Sequence, residues 1–144
     1  MALMSLITLA ALAAAPRPPA AGFSPAERTE ILKAAGAVRR GAAWVLCADD
    51  PGPVSATIRA VDLNGDGRPE AIVTERSRFC APRTGWLHAV LARARGGGWQ
   101  LLARGEGQLR VIGRAVPGQW RDLRVTGADA PVILSHDGSV YRPR

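Results

Sequence analysis

Lysine, histidine, cysteine and aromatic residues are all scarce in this chain of 144 residues. The two cysteines do not form a closely spaced CxxC pair, so the sequence lacks the usual dithiol redox motif. The three glycines at 96–98 are not followed by Lys and Ser or Thr, which excludes the common phosphate-binding loop. After residue 15 no segment is apolar over the roughly 20 residues that a membrane-spanning helix needs. We therefore expect no transmembrane segment in the mature chain.

Arginine supplies nearly all of the positive charge, because Lys33 is the only lysine. The formal net charge is +7, with 47% hydrophobic and 22% charged residues, and these proportions are ordinary for a globular protein. A chain of this length is sufficient for one domain with an apolar core. We therefore expect a single globular domain over residues 22–144.

The first 21 residues resemble a secretory signal peptide followed by a linker rich in Pro and Ala. Residues 1–15 are apolar and uncharged, and they are too few to span a bilayer as a helix. Cleavage is expected near Ala13 or Ala21. The run lacks a basic residue at its start, which leaves an uncleaved anchor or a misassigned start as alternatives. The prediction is a periplasmic or secreted protein.

The two cysteines, Cys47 and Cys80, are expected to form one disulfide, since exported proteins mature in an oxidising compartment. Closing a loop of about 33 residues contributes roughly 3–4 kcal/mol to stability in the chain-entropy model. The loop contains a conspicuous acidic segment, so the bridge is expected to clamp the two flanks of that segment. Two unpaired buried thiols are the alternative.

A helix is predicted to begin at Ser24. Ser24 can cap it, Pro25 suits the first helical position, and Glu27 completes a capping box. Gly36 is expected to terminate the helix after about Ala35.

Beyond residue 40, short apolar runs separated by Gly and Pro predict strands. They cover residues 44–47, 56–63, 71–75, 87–94, 99–104, 109–113, 123–126, 132–135 and 140–142. The glycines at 96–98 and the pair Asp137 and Gly138 are expected to form hairpin turns. The predicted fold class is α+β, with the N-terminal helix packed on a mainly antiparallel β-sheet, a meander of short strands.

The acidic segment, residues 62–70, has the pattern DxNxDGxxE and is called the acidic loop below. Oxygen-bearing side chains stand at its first, third, fifth and ninth positions, with Gly67 at the sixth, where a sharp bend requires positive φ. Carboxylate and amide oxygens suit a hard cation such as Ca²⁺ rather than zinc. The candidate ligands are Asp62, Asn64, Asp66, the Arg68 carbonyl and Glu70.

The acidic loop resembles the calcium loop of FG-GAP (VCBS-type) repeats, which links two adjacent strands. Val73 occupies the position where an EF-hand has a bidentate glutamate, and strand-like runs flank the loop. The resemblance covers about 20 residues and implies that the five candidate ligands hold a structural Ca²⁺. A tight turn rich in Asp, Asn and Gly without metal is the alternative. The whole chain also resembles small exported proteins of alphaproteobacteria, in the helix, the acidic loop and residues 44–50 and 120–123.

Two constellations suggest catalysis but have simpler interpretations. Ser135, His136 and Asp137 are the residue types of a catalytic triad, but adjacent strand residues point to opposite faces and cannot converge. A hairpin turn explains them better. His88, with no second His or Cys nearby, is expected to be a structural residue.

Arginines recur along the later strands, among them Arg76, Arg110 and Arg121, and three tryptophans accompany them. If they share one face, they could hold an anionic ligand or an acidic partner, whereas a merely solvated arginine surface is the alternative. Nucleic acid is the polyanion least expected for an exported chain.

The leading hypothesis from the sequence is an exported, non-enzymatic module with one structural Ca²⁺ loop and an envelope or extracellular partner that the sequence does not identify. The alternative is a periplasmic inhibitor or anionic-ligand-binding protein that uses an Arg/Trp surface. A hydrolase that uses the acidic loop catalytically is the third and least favoured hypothesis.

Overall fold

The computed structural model describes residues 22–144, so the predicted signal peptide and linker lie outside the described residues. The helix α1 spans Pro25–Ala34. The strands are β1 Val38–Arg40, β2 Ala43–Val45, β3 Thr57–Val61, β4 Glu70–Arg76, β5 Trp86–Arg93, β6 Trp99–Glu106, β7 Gln108–Val111, β8 Leu123–Thr126, β9 Val132–His136 and β10 Tyr141–Pro143. Within residues 22–144, no helix combines the length and apolar character that crossing a membrane requires.

The strands form two four-stranded antiparallel meanders and one small hairpin. The first sheet has the order β3-β4-β5-β6, the second sheet has the order β10-β9-β8-β7, and β1 pairs with β2. The fold is therefore α+β in the broad sense and is dominated by sheet. Antiparallel pairing was predicted, but the division into separate sheets was not. Strand β1 was also missed, because Val38 is followed by two arginines and leaves no apolar run.

The helix begins as its sequence predicts. The Ser24 side chain accepts from the Glu27 N–H, and the Glu27 carboxylate accepts from the Ser24 N–H, which confirms the capping box. Glu27 also pairs with Arg93 of β5, and these contacts lower the pKa of its carboxyl to about 2, the bond from the Ser24 backbone being the largest cause. Gly36 has φ of 81°, a value that favours glycine, and it follows the C-terminal residues of α1 as expected.

Two apolar clusters lie on opposite faces of the first sheet. One cluster includes two helix residues and four strand residues: Ile31, Leu32, Ala71, Val73, Ala89 and Leu91. The other lies between the two sheets and includes Leu63, Ile72, Val90, Leu102, Leu109, Leu123 and Tyr141. Because successive strand side chains point to opposite faces, β4 and β5 supply residues to both clusters. This double burial fixes the register of β4, whose first residue, Glu70, ends the acidic loop.

Candidate metal site in the acidic loop

The acidic loop connects β3 to β4 at one end of the first sheet. Val61, the last residue of β3, is the register partner of Glu70, the first residue of β4. The loop is therefore the tip of an antiparallel hairpin, with strands on both sides, as expected from the sequence.

Each side chain of the loop that was predicted to bind a cation accepts hydrogen bonds from nearby backbone N–H groups. Asp62 accepts from Gly65 at 2.7 Å and from Gly67 at 3.0 Å through its two different oxygens. Asn64 Oδ1 accepts from Asp66 N–H at 3.0 Å. Asp66 Oδ1 accepts from the N–H two residues later at 2.7 Å. These bonds hold the loop in a series of Asx turns.

Glu70 differs from the other acidic residues of the loop because it is buried, with 4% of its surface exposed. Its Oε2 accepts from the Leu63 N–H at 2.7 Å, and its Oε1 lies 3.5 Å from the Asn64 side-chain nitrogen. Among residues 22–144, no Arg or Lys lies within ion-pair distance of Glu70, Asp62 or Asp66. Burial, followed by the negative charges of Asp66 and Asp62, raises the pKa of Glu70 to about 7.

The five predicted ligands are only partly brought together. Asn64, Asp66, Arg68 and Glu70 line one cleft of about 450 Å³, which the β5–β6 hairpin also borders. Asp62 does not line this cleft, because both of its oxygens face backbone N–H groups. In the described part of the chain, no three His, Cys, Asp or Glu side chains are gathered into a group arranged to hold a metal ion. The donor chemistry fits a hard cation, while the side chains have the arrangement of a hydrogen-bonded turn.

A second loop, residues 113–121, packs on the acidic loop and is called the bracing loop. The Gly118 N–H donates to the Asn64 carbonyl at 3.1 Å, and the Arg121 N–H donates to the Leu63 carbonyl at 2.7 Å. Gly65, with φ of 74°, lies so close to Val116 that a Cβ atom there would overlap the Val116 backbone. Within the acidic loop, the sequence predicted a conformational role for Gly67 only. The role of Gly65 depends on a loop about 50 residues away in sequence.

Residues of the second sheet hold the bracing loop in place. Trp120 stacks on His136, with ring centroids 4.0 Å apart, and the Tyr141 hydroxyl donates to the Arg121 carbonyl at 2.7 Å. The Arg121 side chain donates to the carbonyls of Ile112, Gly113 and Asp62. The acidic loop is therefore supported by both sheets, although its residues belong to the first sheet alone.

The disulfide between Cys47 and Cys80 is present, with a Cα–Cα distance of 5.9 Å. It lies beyond the other end of β4, where buried Glu75 accepts from the N–H groups of Leu46 and Cys47. Ser77 continues this network by accepting from the Cys80 N–H. Since β4 has 7 residues, roughly 20 Å of strand separates the bridge from the acidic loop. The bridge encloses the loop in sequence but does not clamp its flanks.

The three residues that resemble a catalytic triad point in different directions. Ser135 donates to Asp122 at 2.7 Å, His136 stacks on Trp120, and Asp137 pairs with Arg142. The Asp137 N–H donates to the Val140 carbonyl, so Gly138 and Ser139 occupy the tip of the hairpin. His88 is buried, and its Nδ1 lies 3.0 Å from the Gly107 carbonyl. Burial lowers the pKa of His88.

Arginine side chains lie over three of the four tryptophan rings. Arg39 covers Trp44 at 5.5 Å, Arg76 covers Trp86 at 5.3 Å and Arg93 covers Trp99 at 4.8 Å. Trp86 also borders the larger intersheet cleft, a space of about 750 Å³ between the two sheets. Arg59, Arg110 and Arg121 are among the residues that line this cleft.

No family model, curated protein or solved structure matches this chain. The resemblance to calcium loops of the FG-GAP type therefore depends on the residues of the acidic loop itself.

Proposed function

We propose that this protein is an exported, non-enzymatic module in which the acidic loop binds Ca²⁺ as a structural element. The observation that carries the proposal is the buried carboxylate of Glu70, which has two further carboxylates nearby and no cationic side chain within ion-pair distance among the described residues. A buried charge without a partner is costly, and a bound cation supplies that partner.

Four residues of the cleft beside the acidic loop would provide the oxygen ligands: the side chains of Asn64, Asp66 and Glu70, and the Arg68 carbonyl. Asp62 would join them by sharing an oxygen that now accepts a backbone N–H. Ca²⁺ would supply positive charge and no reaction chemistry. A single exposed loop of this kind is expected to bind with a Kd on the order of 10⁻⁴–10⁻³ M.

The disulfide and the capped helix support the remaining parts of this proposal. A disulfide persists in oxidising compartments, which agrees with a periplasmic or secreted protein that has an N-terminal signal peptide. Ile31 and Leu32 share a buried cluster with residues of the first sheet, which supports a helix that acts as a cover on that sheet.

Thermal unfolding in millimolar Ca²⁺, Mg²⁺ and chelator tests the calcium proposal. We expect Ca²⁺ to stabilise the protein by about 1–2 kcal/mol at a concentration ten times Kd, and Mg²⁺ to stabilise it less. The Asp66→Asn variant can still cap the turn but loses one negative charge, so it should lose most of the stabilisation by calcium. Asp137→Asn, the same change in the β9–β10 turn outside the acidic loop, should keep that stabilisation. An unchanged melting temperature in calcium would exclude a structural Ca²⁺ site.

The intersheet cleft favours a second candidate function, the binding of an anionic ligand. Arg59 and Arg110 line the cleft, Trp86 lies at its border, and no Asp or Glu among residues 22–144 lines it. Binding of polyglutamate that weakens with added salt, and weakens further in an Arg59→Gln, Arg110→Gln double variant, would support this function. Equal binding by the double variant would argue against it.

A further inference from the structure

The intersheet cleft lies beside a sheet edge that no strand within residues 22–144 pairs with. Strand β7 stands at the end of the second sheet, and all four of its residues line the cleft. We propose that an extended acidic segment of a partner protein binds in this cleft as an additional strand on β7. The inference rests on the proposal that the cleft binds anions, and it specifies the partner and the mode of binding.

The backbone of β7 presents hydrogen-bonding groups to the cleft. In an antiparallel pair, successive residues turn their N–H and C=O groups alternately toward the partner strand and away from it. The Ile112 N–H donates to the Asp122 carbonyl at 2.9 Å, so Arg110, two residues earlier, also turns toward β8. Leu109 and Val111 stand at the alternate positions, and their main-chain groups turn away from β8. An added strand would pair with these groups.

The second sheet covers only part of the first. Strand β7 contacts β5, and β10 contacts β6, so the second sheet lies over the β5–β6 half. The cleft wall on the other side consists of β3 and β4 residues, among them Val61 and Ile72. A strand added to β7 would lie over the β3 side of this wall, where Thr57 and Arg59 are exposed, and would extend the sandwich. Its inward side chains would contact apolar residues, as in other sheet-on-sheet packing.

The positive charge of the arginines that line the intersheet cleft favours an acidic partner. Arg59 and Arg110 are exposed, line the cleft, and form no ion pair among residues 22–144. Arg121 lines the cleft as well, but its guanidinium donates to carbonyls of the bracing and acidic loops. A second copy of this chain is disfavoured because its net charge is +7. Residues 1–21 contain no acidic residue and do not match the cleft in charge.

Strand addition also predicts which side chains of the partner meet which arginine. Leu109 points into the intersheet core, so Arg110 points to the outer face of the second sheet. An acidic residue on the outer face of the added strand would stand beside Arg110. Arg59 belongs to β3 and stands with Val61 on the cleft side, so it would meet an acidic residue at the margin of the inner face. A peptide with alternating Val and Glu fits the condition at Arg110, because its Glu side chains share the outer face while its Val side chains face the core.

Fluorescence anisotropy with a labelled peptide of alternating Val and Glu tests the proposal on the purified full chain. We expect saturable binding that weakens about three- to tenfold in Arg110→Gln, as is typical for one interfacial charge. Arg124→Gln is the matched control: Arg124 is exposed and stands directly opposite Arg110 in the register, but it does not line the cleft. Binding that weakens equally in both variants would overturn the assignment of the cleft.

Two backbone changes test the strand pairing itself. Val111→Pro removes an N–H that turns toward the cleft and leaves the β7–β8 bonds in place, so it should weaken binding, whereas Val111→Ala should not. A Val/Glu peptide that is N-methylated at the alternate residues whose N–H groups would face β7 loses those hydrogen bonds. It should bind at least tenfold more weakly than the unmethylated peptide. Undiminished binding of the methylated peptide would overturn strand addition and leave anion binding intact. If neither the unmodified Val/Glu peptide nor polyglutamate binds, both the strand-addition proposal and the anion-binding proposal are overturned.

Other occupants would give different results. Tighter binding of an anionic polysaccharide than of the peptide, still dependent on Arg110, would overturn the protein partner. Concentration-dependent dimerisation that is lost in Val111→Pro would overturn it as well, and would assign the edge to a second copy. Circular dichroism and thermal melting of each variant show whether it folds, and the peptide changes test pairing without any change to the protein.

Discussion

Two turns in this molecule are each closed by an aspartate that accepts backbone N–H groups, but their negative charges are balanced differently. In the acidic loop, Asp62 accepts from two backbone N–H groups. In the β9–β10 hairpin, Asp137 likewise accepts from two, those of Ser139 and Val140. Asp137 also pairs with Arg142, and these contacts hold the pKa of its carboxyl well below the usual range, the Val140 backbone bond being the largest cause. At the acidic loop, the pKa of Glu70 is instead raised to about 7.

The difference shows that backbone hydrogen bonds shape a turn but do not neutralise a buried carboxylate that has other carboxylates near it. Asp137 is exposed and has a guanidinium as its partner, so its charge stabilises the hairpin. Glu70 is buried near Asp66 and Asp62, so its charge must be balanced by a proton or by a cation from solvent. The predictions below test whether the two turns differ in this way.

The largest expected effect comes from the disulfide. Replacing both cysteines, Cys47→Ala with Cys80→Ala, should destabilise the protein by about 3–4 kcal/mol, since it removes a loop constraint. Because the bridge lies at the far end of β4, the stabilisation by calcium should be unchanged in kcal/mol. Urea unfolding with and without calcium measures both quantities. Loss of the calcium response in this variant would mean that the bridge and the acidic loop are coupled after all.

Gly65 and Gly67 form a matched pair within the acidic loop. Both have positive φ, but only Gly65 lies against the backbone of Val116. Gly67→Ala should cost about 1 kcal/mol through strain, and Gly65→Ala should cost about 2–3 kcal/mol because the bracing loop must move. Chemical denaturation gives the difference. Equal costs would show that contact with the bracing loop contributes nothing to stability.

The effect of Glu70→Gln on stability should depend on calcium. In chelator at pH 8, the substitution removes a buried, unpaired charge and should stabilise the protein by on the order of 2 kcal/mol. In saturating calcium it should remove the response to the ion and leave the variant no more stable than in chelator. Differential scanning calorimetry in both conditions tests this. A Glu70→Gln variant that is destabilised in chelator would argue that Glu70 is held as a hydrogen-bonded turn residue.

The two turns should respond to pH with opposite sign. The pKa of Glu70 rises from 4.5 unfolded to about 7 folded, so in chelator stability should fall by on the order of 2 kcal/mol as pH rises through this interval. The pKa of Asp137 is lowered from 3.8, so its contribution is present above that pH and is lost as pH falls. Urea midpoints measured against pH for the wild type, Glu70→Gln and Asp137→Asn separate the two groups.

The smallest effect is expected at the hairpin. Asp137→Asn keeps an oxygen that can cap the turn but loses the ion pair with Arg142, which is exposed. The cost should be small, because an exposed ion pair contributes little to stability, and it should be equal in calcium and chelator. A cost that depends on calcium would show that Asp137 belongs to the metal response, and the contrast between the two turns would then be lost.

Local chemistry made several features predictable from the sequence. Ser24 and Glu27 specify the capping box, because both bonds are formed within four residues. The strands after residue 40 were predicted to within a few residues, since their apolar runs are bounded by Gly and Pro. The disulfide partners were predictable because the chain has no other cysteine.

Contacts between distant segments were not predictable in the same way. Nothing near Gly65 in sequence indicates that Val116 packs on it, and the burial of Glu70 depends on the register of β4 with its neighbours. The chain passes from the first sheet to the second at Gly107, between β6 and β7, where the Gly107 N–H donates to the Trp86 carbonyl. Such contacts depend on side-chain volume and register across the whole molecule.

The sequence by itself determined the oxygen-bearing side chains of the acidic loop, the capped helix, the strand pattern and the pairing of Cys47 with Cys80. Only the tertiary structure decided that, among residues 22–144, Glu70 is buried with no cationic side chain within ion-pair distance and β7 has an edge that no strand pairs with, and that the disulfide lies at the opposite end of β4. The physical reason is the range of the interactions. Caps, turns and alternating patterns arise from residues a few positions apart, whereas burial and unpaired edges arise from how the two sheets pack on each other.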